Sequence, residues 1–352
     1  MTATYKLVQW NRHKKVYDVI LGLGVGTYLG VFICAGLLTH RAPNEISLPI
    51  LAMRALATLA IILLHVILAI GPLARLTDRM APLLYNRRHL GVTFFLVAAT
   101  HAALALGFYG GFGVRDPFSA LVAGYDSYGS ISGFPFEVLG FLALLIFFVM
   151  ASTSHDFWLA NLGARTWKAL HMLVYVAYGL VVMHVALGAL QAERNPSYVV
   201  LLFGGVIVIA ALHVAAGMRE FRRDERGVPA DAAWVDVASV DEIEDNAAKV
   251  VCFKGRERVA VFRYDGKVSA VSNVCAHQGG PLGEGRVVDG CITCPWHGYQ
   301  YLPGKGQSPP PYTETIPTYE VRLDGRRIML NPSAKPAGTP VAPAIIEGEA
   351  AS

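Results

Sequence analysis

The chain has 352 residues, 54% of them apolar and only 16% charged, which is the composition of an integral membrane protein with room for more than one domain. Its net charge of +4 is gathered beside apolar segments and reads as a topology signal; no nucleic-acid module is visible, so nucleic acid is not expected as a partner. Five cysteines are too few for a disulfide scaffold.

The first 16 residues hold Lys6, Arg12, Lys14 and Lys15, and an apolar run follows over 17–38. That run is too long for a signal peptide and lacks a small-residue cleavage site, so an uncleaved anchor helix is expected. Gly22, Gly24, Gly26 and Gly30 lie inside it with no strand before them, which favours helix packing by small residues over a nucleotide loop. Further apolar runs at 48–70, 90–109, 136–150, 167–190 and 198–218 bring the expected total to six spanning helices, surrounded by membrane lipid. Arg75, Arg79, Arg87, Arg88, Arg165, Lys168, Arg219, Arg222, Arg223 and Arg226 fall on one side, against Arg41, Arg115 and Arg194 on the other. The positive-inside rule then places both termini in the cytoplasm of an inner (cell) membrane protein.

After a polar linker at 219–232, short β-rich runs at 249–251, 258–263, 268–271 and 319–323, with turns at Asp265-Gly266 and Asp324-Gly325, predict a small all-β domain over 233–332. The tail at 333–352, rich in Ala, Pro and Gly, is expected to be disordered. The expected fold is thus multidomain: a cytoplasmic segment at 1–16, an all-α six-helix bundle over 17–218, the linker, the β domain and the tail.

Ionisable residues inside spanning helices are functional candidates by default. His65, His101, His171, His184 and His213 all fall there. At 1.5 Å per residue, His184 lies about 20 Å from His171 along one helix. His101 then shares the outer layer with His184, while His171 shares the inner layer with His65 or His213. Two imidazoles from facing helices would hold a six-coordinate b-type haem suited to electron transfer. Arg54 lies a few residues from the outer end of its helix, where snorkelling and pairing with a haem propionate are equal readings. His89, at the membrane edge, is expected to be a solvated interfacial residue.

In the β domain, Cys275-Ala-His277 and Cys294-Pro-Trp-His297 stand sixteen residues apart. Two thiolates and two imidazoles suit a [2Fe–2S] cluster with mixed ligands, and they also suit a structural zinc ion. Zinc fingers usually pair Cys with Cys and His with His, whereas here each arm carries one of each. Cys34, Cys252 and Cys291 are expected to be ordinary buried thiols.

The flanks of these arms, Cys-x-His-x-Gly-Gly-Pro-Leu and Cys-Pro-Trp-His-Gly, resemble Rieske proteins over about 233–332. The resemblance implies that Cys275, His277, Cys294 and His297 are the cluster ligands. Quinol-oxidising Rieske proteins carry a disulfide at the positions held here by Gly280 and Trp296, and a hydroxyl residue where Tyr299 stands. This chain therefore resembles the ferredoxin type. No histidine follows His297 to join the two-histidine, one-carboxylate iron site of a Rieske oxygenase, so oxygenase chemistry is not expected.

Three stretches resemble the ferric reductase-like transmembrane family over about 45–218. They are Gly71-Pro-Leu-Ala-Arg75, Asn86-Arg-Arg-His-Leu-Gly-Val92 with His101 beyond it, and 162–171 continuing through Tyr175 to His184. The pattern is similar to the haem-binding membrane subunit of methionine sulfoxide reductase systems. In that family the residues matching His101, His171 and His184 are haem ligands. The resemblance implies one or two b haems, a separate cytoplasmic reductase or ferredoxin-type donor, and an outer-face acceptor that could be ferric iron, a periplasmic reductase or quinone.

The expected function is electron transfer from a cytoplasmic Rieske cluster through haem to the outer face. Two alternatives stand beside it: a haem-free redox-sensing or docking module anchored by the helices, and reverse flow from quinol to a cytoplasmic acceptor.

Overall fold

The computed structural model describes residues 12–39, 46–80, 83–84, 86–110, 113–114, 116–119, 134–154, 158, 162, 164–192, 195–255, 257–277, 279–295 and 298–348. Contacts divide it into a helical unit ending at Ala216 and a β-rich unit from Gly217 onward.

The helical unit contains α1 (Arg12–Thr39), α2 (Leu48–Leu76), α3 (Arg87–Tyr109), α4 (Phe136–Ser152), α5 (Ala164–Met172) and α6 (Val174–Leu187). The turn Pro196–Val199 and a π-helical turn at Val200–Gly204 lead into α7 (Gly205–Glu225). Asn195 caps that entry, its side chain accepting the Ser197 N–H at 3.0 Å. Among the described residues, five helices are long and apolar enough to cross a membrane: Lys14–Thr39, Leu48–Leu76, Arg87–Phe108, Thr166–Gln191 and Pro196–Glu225. The expected sixth span, α4, has 17 residues. At 1.5 Å each they cover about 26 Å, short of the roughly 30 Å hydrocarbon core. Among the described residues the expected six helices are thus five long apolar helices and a sixth, α4, at the lower limit of a spanning length.

α2 is the most buried helix and packs against α1 and α3, while α4 packs against α3 and α6. Little of α1 is buried. The expectation that its glycines pack a neighbouring helix fails at Gly22, Gly24, Gly26 and Gly30, where an added Cβ would meet nothing within 4 Å. Only Gly36 is tight, its Cβ position lying 2.4 Å from Leu51 Cδ1. Cys34, expected to be buried, is exposed on this apolar helix.

α7 runs to Glu225, so the first residues of the expected linker are helical. Within the second unit Arg258 pairs with Glu220 and with Asp224, the latter at 2.8 Å. The strands are β1 (Val235–Ser239), β2 (Ala247–Val251), β3 (Val259–Tyr264), β4 (Lys267–Ser272), β5 (Arg286–Val288), β6 (Cys291–Thr293), β7 (Gln300–Tyr301), β8 (Thr318–Tyr319), β9 (Val321–Asp324), β10 (Arg327–Leu330) and β11 (Ala344–Ile345). They form three sheets ordered β1-β10-β9, β11-β4-β3-β2 with β8 also on β4, and β5-β6-β7. Asp265 and Gly266 both have positive φ (45° and 65°), as a tight hairpin turn between β3 and β4 requires.

Side chains alternate across a strand, and β3 uses both faces. Val259 and Val261 join one core with Phe253, Ile328 and Leu330. Ala260 and Phe262 join the other with Leu282, Ile292 and Tyr301. The second core contains Cys275 and Cys294, so the candidate ligands are anchored in the hydrophobic interior.

The expected disorder of the tail is corrected over its described part. Ala344–Ile345 pairs antiparallel with β4, Lys335 bridges Thr318, and Ile346 is 2% exposed in the first core. The Pro- and Gly-rich composition here serves an extended strap. Ile346→Ala should cost about 2–5 kcal/mol by leaving a cavity, read as a lower denaturant midpoint for bleaching of the domain's visible absorbance; an unchanged midpoint would show the strap is dispensable.

Candidate functional site

Two loops of the β unit have the same backbone plan. The Cys275 N–H donates to Gly280 O at 2.9 Å and the Gly279 N–H to Cys275 O at 2.7 Å. In the second loop the Cys294 N–H donates to Tyr299 O at 2.8 Å and the Gly298 N–H to Cys294 O at 2.9 Å. Gly279 and Gly298 both have positive φ (75° and 70°), which lets each loop fold back without a Cβ clash. Asn273, 7% exposed, pins the first loop by accepting the Gly283 N–H at 2.7 Å.

Cys275, Cys294 and His277 are all buried, and His297 lies outside the described residues. Matching loops that present two buried sulfurs and an imidazole fit a [2Fe–2S] cluster by the chemistry of the donor set. Cys291, by contrast, opens β6; burial first, then Asp289, push its thiol above the usual value, which suits an inert thiol.

Two tyrosines after the second arm divide the surroundings of the ligands. Tyr301, fully buried, places its hydroxyl 3.4 Å from Cys275 Sγ. Burial first, then the Cys275 sulfur, push this phenol far above its ordinary pKa, so it stays protonated and can donate to sulfur. Tyr299 donates instead to the Glu314 carboxylate. The sequence directed attention to Tyr299 and missed Tyr301 and Glu314. The two-residue spacing into β7 was the available signal for Tyr301, and nothing local marked Glu314.

The helical unit holds a cavity of about 870 Å³, counting its open mouth, lined by residues of α2, α3, α4 and α6. His101 and His184 both line it, beside Ala57, Ala98, Ala102 and Phe94. The predicted outer pair is therefore brought together, in a chamber whose small side chains leave room for a flat group. Gly140 is required there, since a Cβ would sit 2.8 Å from the His184 ring. Glu137, 8% exposed, is a carboxylate in the same wall that sequence reasoning passed over. It was the single acid in an apolar run.

His101 Nδ1 lies 3.1 Å from Met53 O, His184 Nδ1 2.8 Å from Phe136 O, and His171 Nδ1 3.0 Å from Trp167 O. A carbonyl only accepts, so each Nδ1 carries the proton and each Nε2 lone pair remains for a metal, the usual arrangement of a ligating histidine. His171 Nε2 is buried with no hydrogen-bond partner, an orphan that an iron would satisfy. These atoms fit haem. His171 also stacks on Trp167, centroids 3.7 Å apart, and the Trp167 Nε1–H donates to Thr153 O at 2.8 Å.

The remaining candidates are placed differently. His65 Nε2 is 2.9 Å from the Tyr178 hydroxyl, and its ring fills the space beside Gly205, where a Cβ would lie 2.0 Å from it. His213 Nε2 is 3.0 Å from the Tyr175 hydroxyl. Both are engaged as hydrogen-bonded packing residues, and neither offers the free Nε2 that His171 has. Arg54 is exposed on α2 and is not among the residues lining the cavity. His89, expected to be solvated, pairs with Asp18 of α1 at 2.7 Å and ties α1 to α3.

Residues 233–320 match the family model of the Rieske [2Fe-2S] domain, and residues 55–182 that of the ferric reductase like transmembrane component. The chain is 32% identical over 102 residues to the anthranilate 1,2-dioxygenase ferredoxin subunit of Burkholderia cepacia, covering 28% of this chain and 93% of that protein. It is 34% identical over 131 residues to the protein-methionine-sulfoxide reductase heme-binding subunit MsrQ of Ralstonia nicotianae, covering 37% of this chain and 55% of that protein. It thus spans about half the length of that relative. Among solved structures, the ferredoxin of carbazole 1,9a-dioxygenase from Nocardioides aromaticivorans aligns at 27% identity and a TM-score of 0.27, over 29% of this chain and 100% of that one.

Proposed function

We propose, for a chain that belongs to the Rieske [2Fe–2S] proteins and carries a ferric reductase-like transmembrane domain, that it conducts electrons across a membrane between a cytoplasmic Rieske cluster and an acceptor at the outer face. A membrane electron-transfer role follows from the pairing of these two domains in one chain. The bound groups, a [2Fe–2S] cluster and b-type haem, supply one-electron carriers.

The chain's own residues supply the rest. Cys275 and Cys294 offer the thiolates, and His277 and His297 the imidazoles. His101 and His184 offer two Nε2 lone pairs to one cavity, and His171 offers a third elsewhere in the bundle. The tyrosine partners of His65 and His213 argue against either as the ligand opposite His171. The arginine-rich side of the helices supports a cytoplasmic position for both termini and the cluster. With the Rieske domain following the membrane part, the electrons come from a separate cytoplasmic reductase or ferredoxin-type donor. The acceptor belongs to the class of ferric iron, a periplasmic reductase or quinone.

The observation that carries this reading is the convergence of His101 and His184 on one chamber, each with Nδ1 tied to a carbonyl. The test is a haem-to-cluster stoichiometry on purified protein. At least one b-type haem per Rieske paramagnetic signal is expected, and a cluster with no haem would leave a docking or sensing module in its place.

A further inference from the structure

The Tyr299 ring lies against the His277 imidazole with centroids 4.7 Å apart and 12° between planes, a parallel stack. Its hydroxyl points to Glu314, whose Oε2 also accepts the Thr313 N–H at 3.2 Å. Tyr312 meets the same ring edge-on at 5.2 Å and Tyr301 lies tilted at 5.5 Å. Tyr299 is 2% exposed. A phenol held at its tip by a charge-assisted hydrogen bond and walled by two aromatic rings has one orientation open to it. Its face then restricts the ring laid upon it.

We propose that Tyr299, anchored by Glu314, is a positioning residue that sets the ring plane of His277. The role is distinct from that of Tyr301, whose hydroxyl addresses the Cys275 sulfur. An imidazole bound through one nitrogen can still turn about that bond, and the overlap of its π system with a metal changes as it turns. A stacked, anchored neighbour removes that freedom. The inference rests on the Rieske reading of the two loops.

The test uses the purified full-length protein, reduced, with the g-values and histidine-nitrogen couplings of the cluster read by continuous-wave and pulsed electron paramagnetic resonance. Tyr299→Phe keeps the stack and loses the anchor, Glu314→Gln weakens the anchor from its other end, and Tyr299→Leu removes the stack. The first two should broaden the signal and spread the nitrogen couplings in the same way; Tyr299→Leu should shift both further. If Tyr299→Leu loses the cluster outright, the other two variants decide on the same readouts. Tyr301→Phe is the contrast, with nitrogen couplings retained. Intact clusters with wild-type g-values and couplings in the Phe and Gln variants would overturn the inference. A wild-type protein with no Rieske signal would overturn the cluster reading beneath it.

Discussion

Replacing His101 or His184 with alanine should strip haem from the α2–α3–α4–α6 cavity while leaving the iron–sulfur signal at full strength. Each ring reaches the chamber from a different helix, α3 or α6, and each is fixed by a carbonyl on yet another, Met53 of α2 or Phe136 of α4. Loss of such an outer carbonyl partner alone typically costs ten- to a hundredfold in metal affinity. Removing the ligand itself should cost more, so haem occupancy should drop by at least about tenfold. The measurement is haem per cluster by pyridine haemochrome absorbance and paramagnetic spin count. Unchanged haem in both variants would refute the ligand pair. Alanine is tolerable at either position, because the walls are already alanine-rich and the deletion only enlarges an existing space.

Tyr301→Phe should lower the reduction potential of the cluster. A hydrogen bond to sulfur favours the more electron-rich, reduced state, so its removal makes reduction harder. A net contribution of about 1 kcal/mol for one hydrogen bond, set against 59 mV per tenfold for a one-electron couple, gives a fall of roughly 40 mV. The phenyl ring fills the same fully buried site in the second core, so the fold persists and the change isolates the hydroxyl. A redox titration followed by the reduced-cluster signal gives the result, and a potential equal to wild type would mean that the 3.4 Å contact carries no tuning.

Patterns that depend on composition or short spacing were legible before any coordinates. The apolar runs marked every long helix, because spanning segments must satisfy their own backbone and show it as continuous hydrophobicity. Ligand spacing singled out Cys275 and Cys294, which the fold buries in one core, and the depth argument paired His101 with His184, which line one cavity. Partners distant in sequence were not legible. Gly140 accommodates His184 from another helix, Glu314 reaches Tyr299 across a loop, and Tyr175 and Tyr178 meet His213 and His65 across the bundle. The described part of the tail was misread for a related reason: composition reported few apolar residues, while Ile346, a two-residue pairing with β4 and scattered backbone bonds to distant residues hold it. The α1 glycines failed in the opposite sense, since small residues permit close packing but do not compel it.

The shortness of α4 has a physical consequence of its own. A bilayer bordering a helix about 4 Å shorter than its core thins locally or draws polar groups inward. Glu137, Gly140, Phe141, Ala143, Leu144 and Phe147 of α4 all line the chamber, so thinning of a bilayer around α4 would fall beside it. On the proposed electron path, such thinning would bring an outer-face acceptor nearer to the chamber than the nominal membrane thickness allows. Electron tunnelling decays steeply with distance, so acyl-chain length becomes a property that the rate of the whole wire can feel.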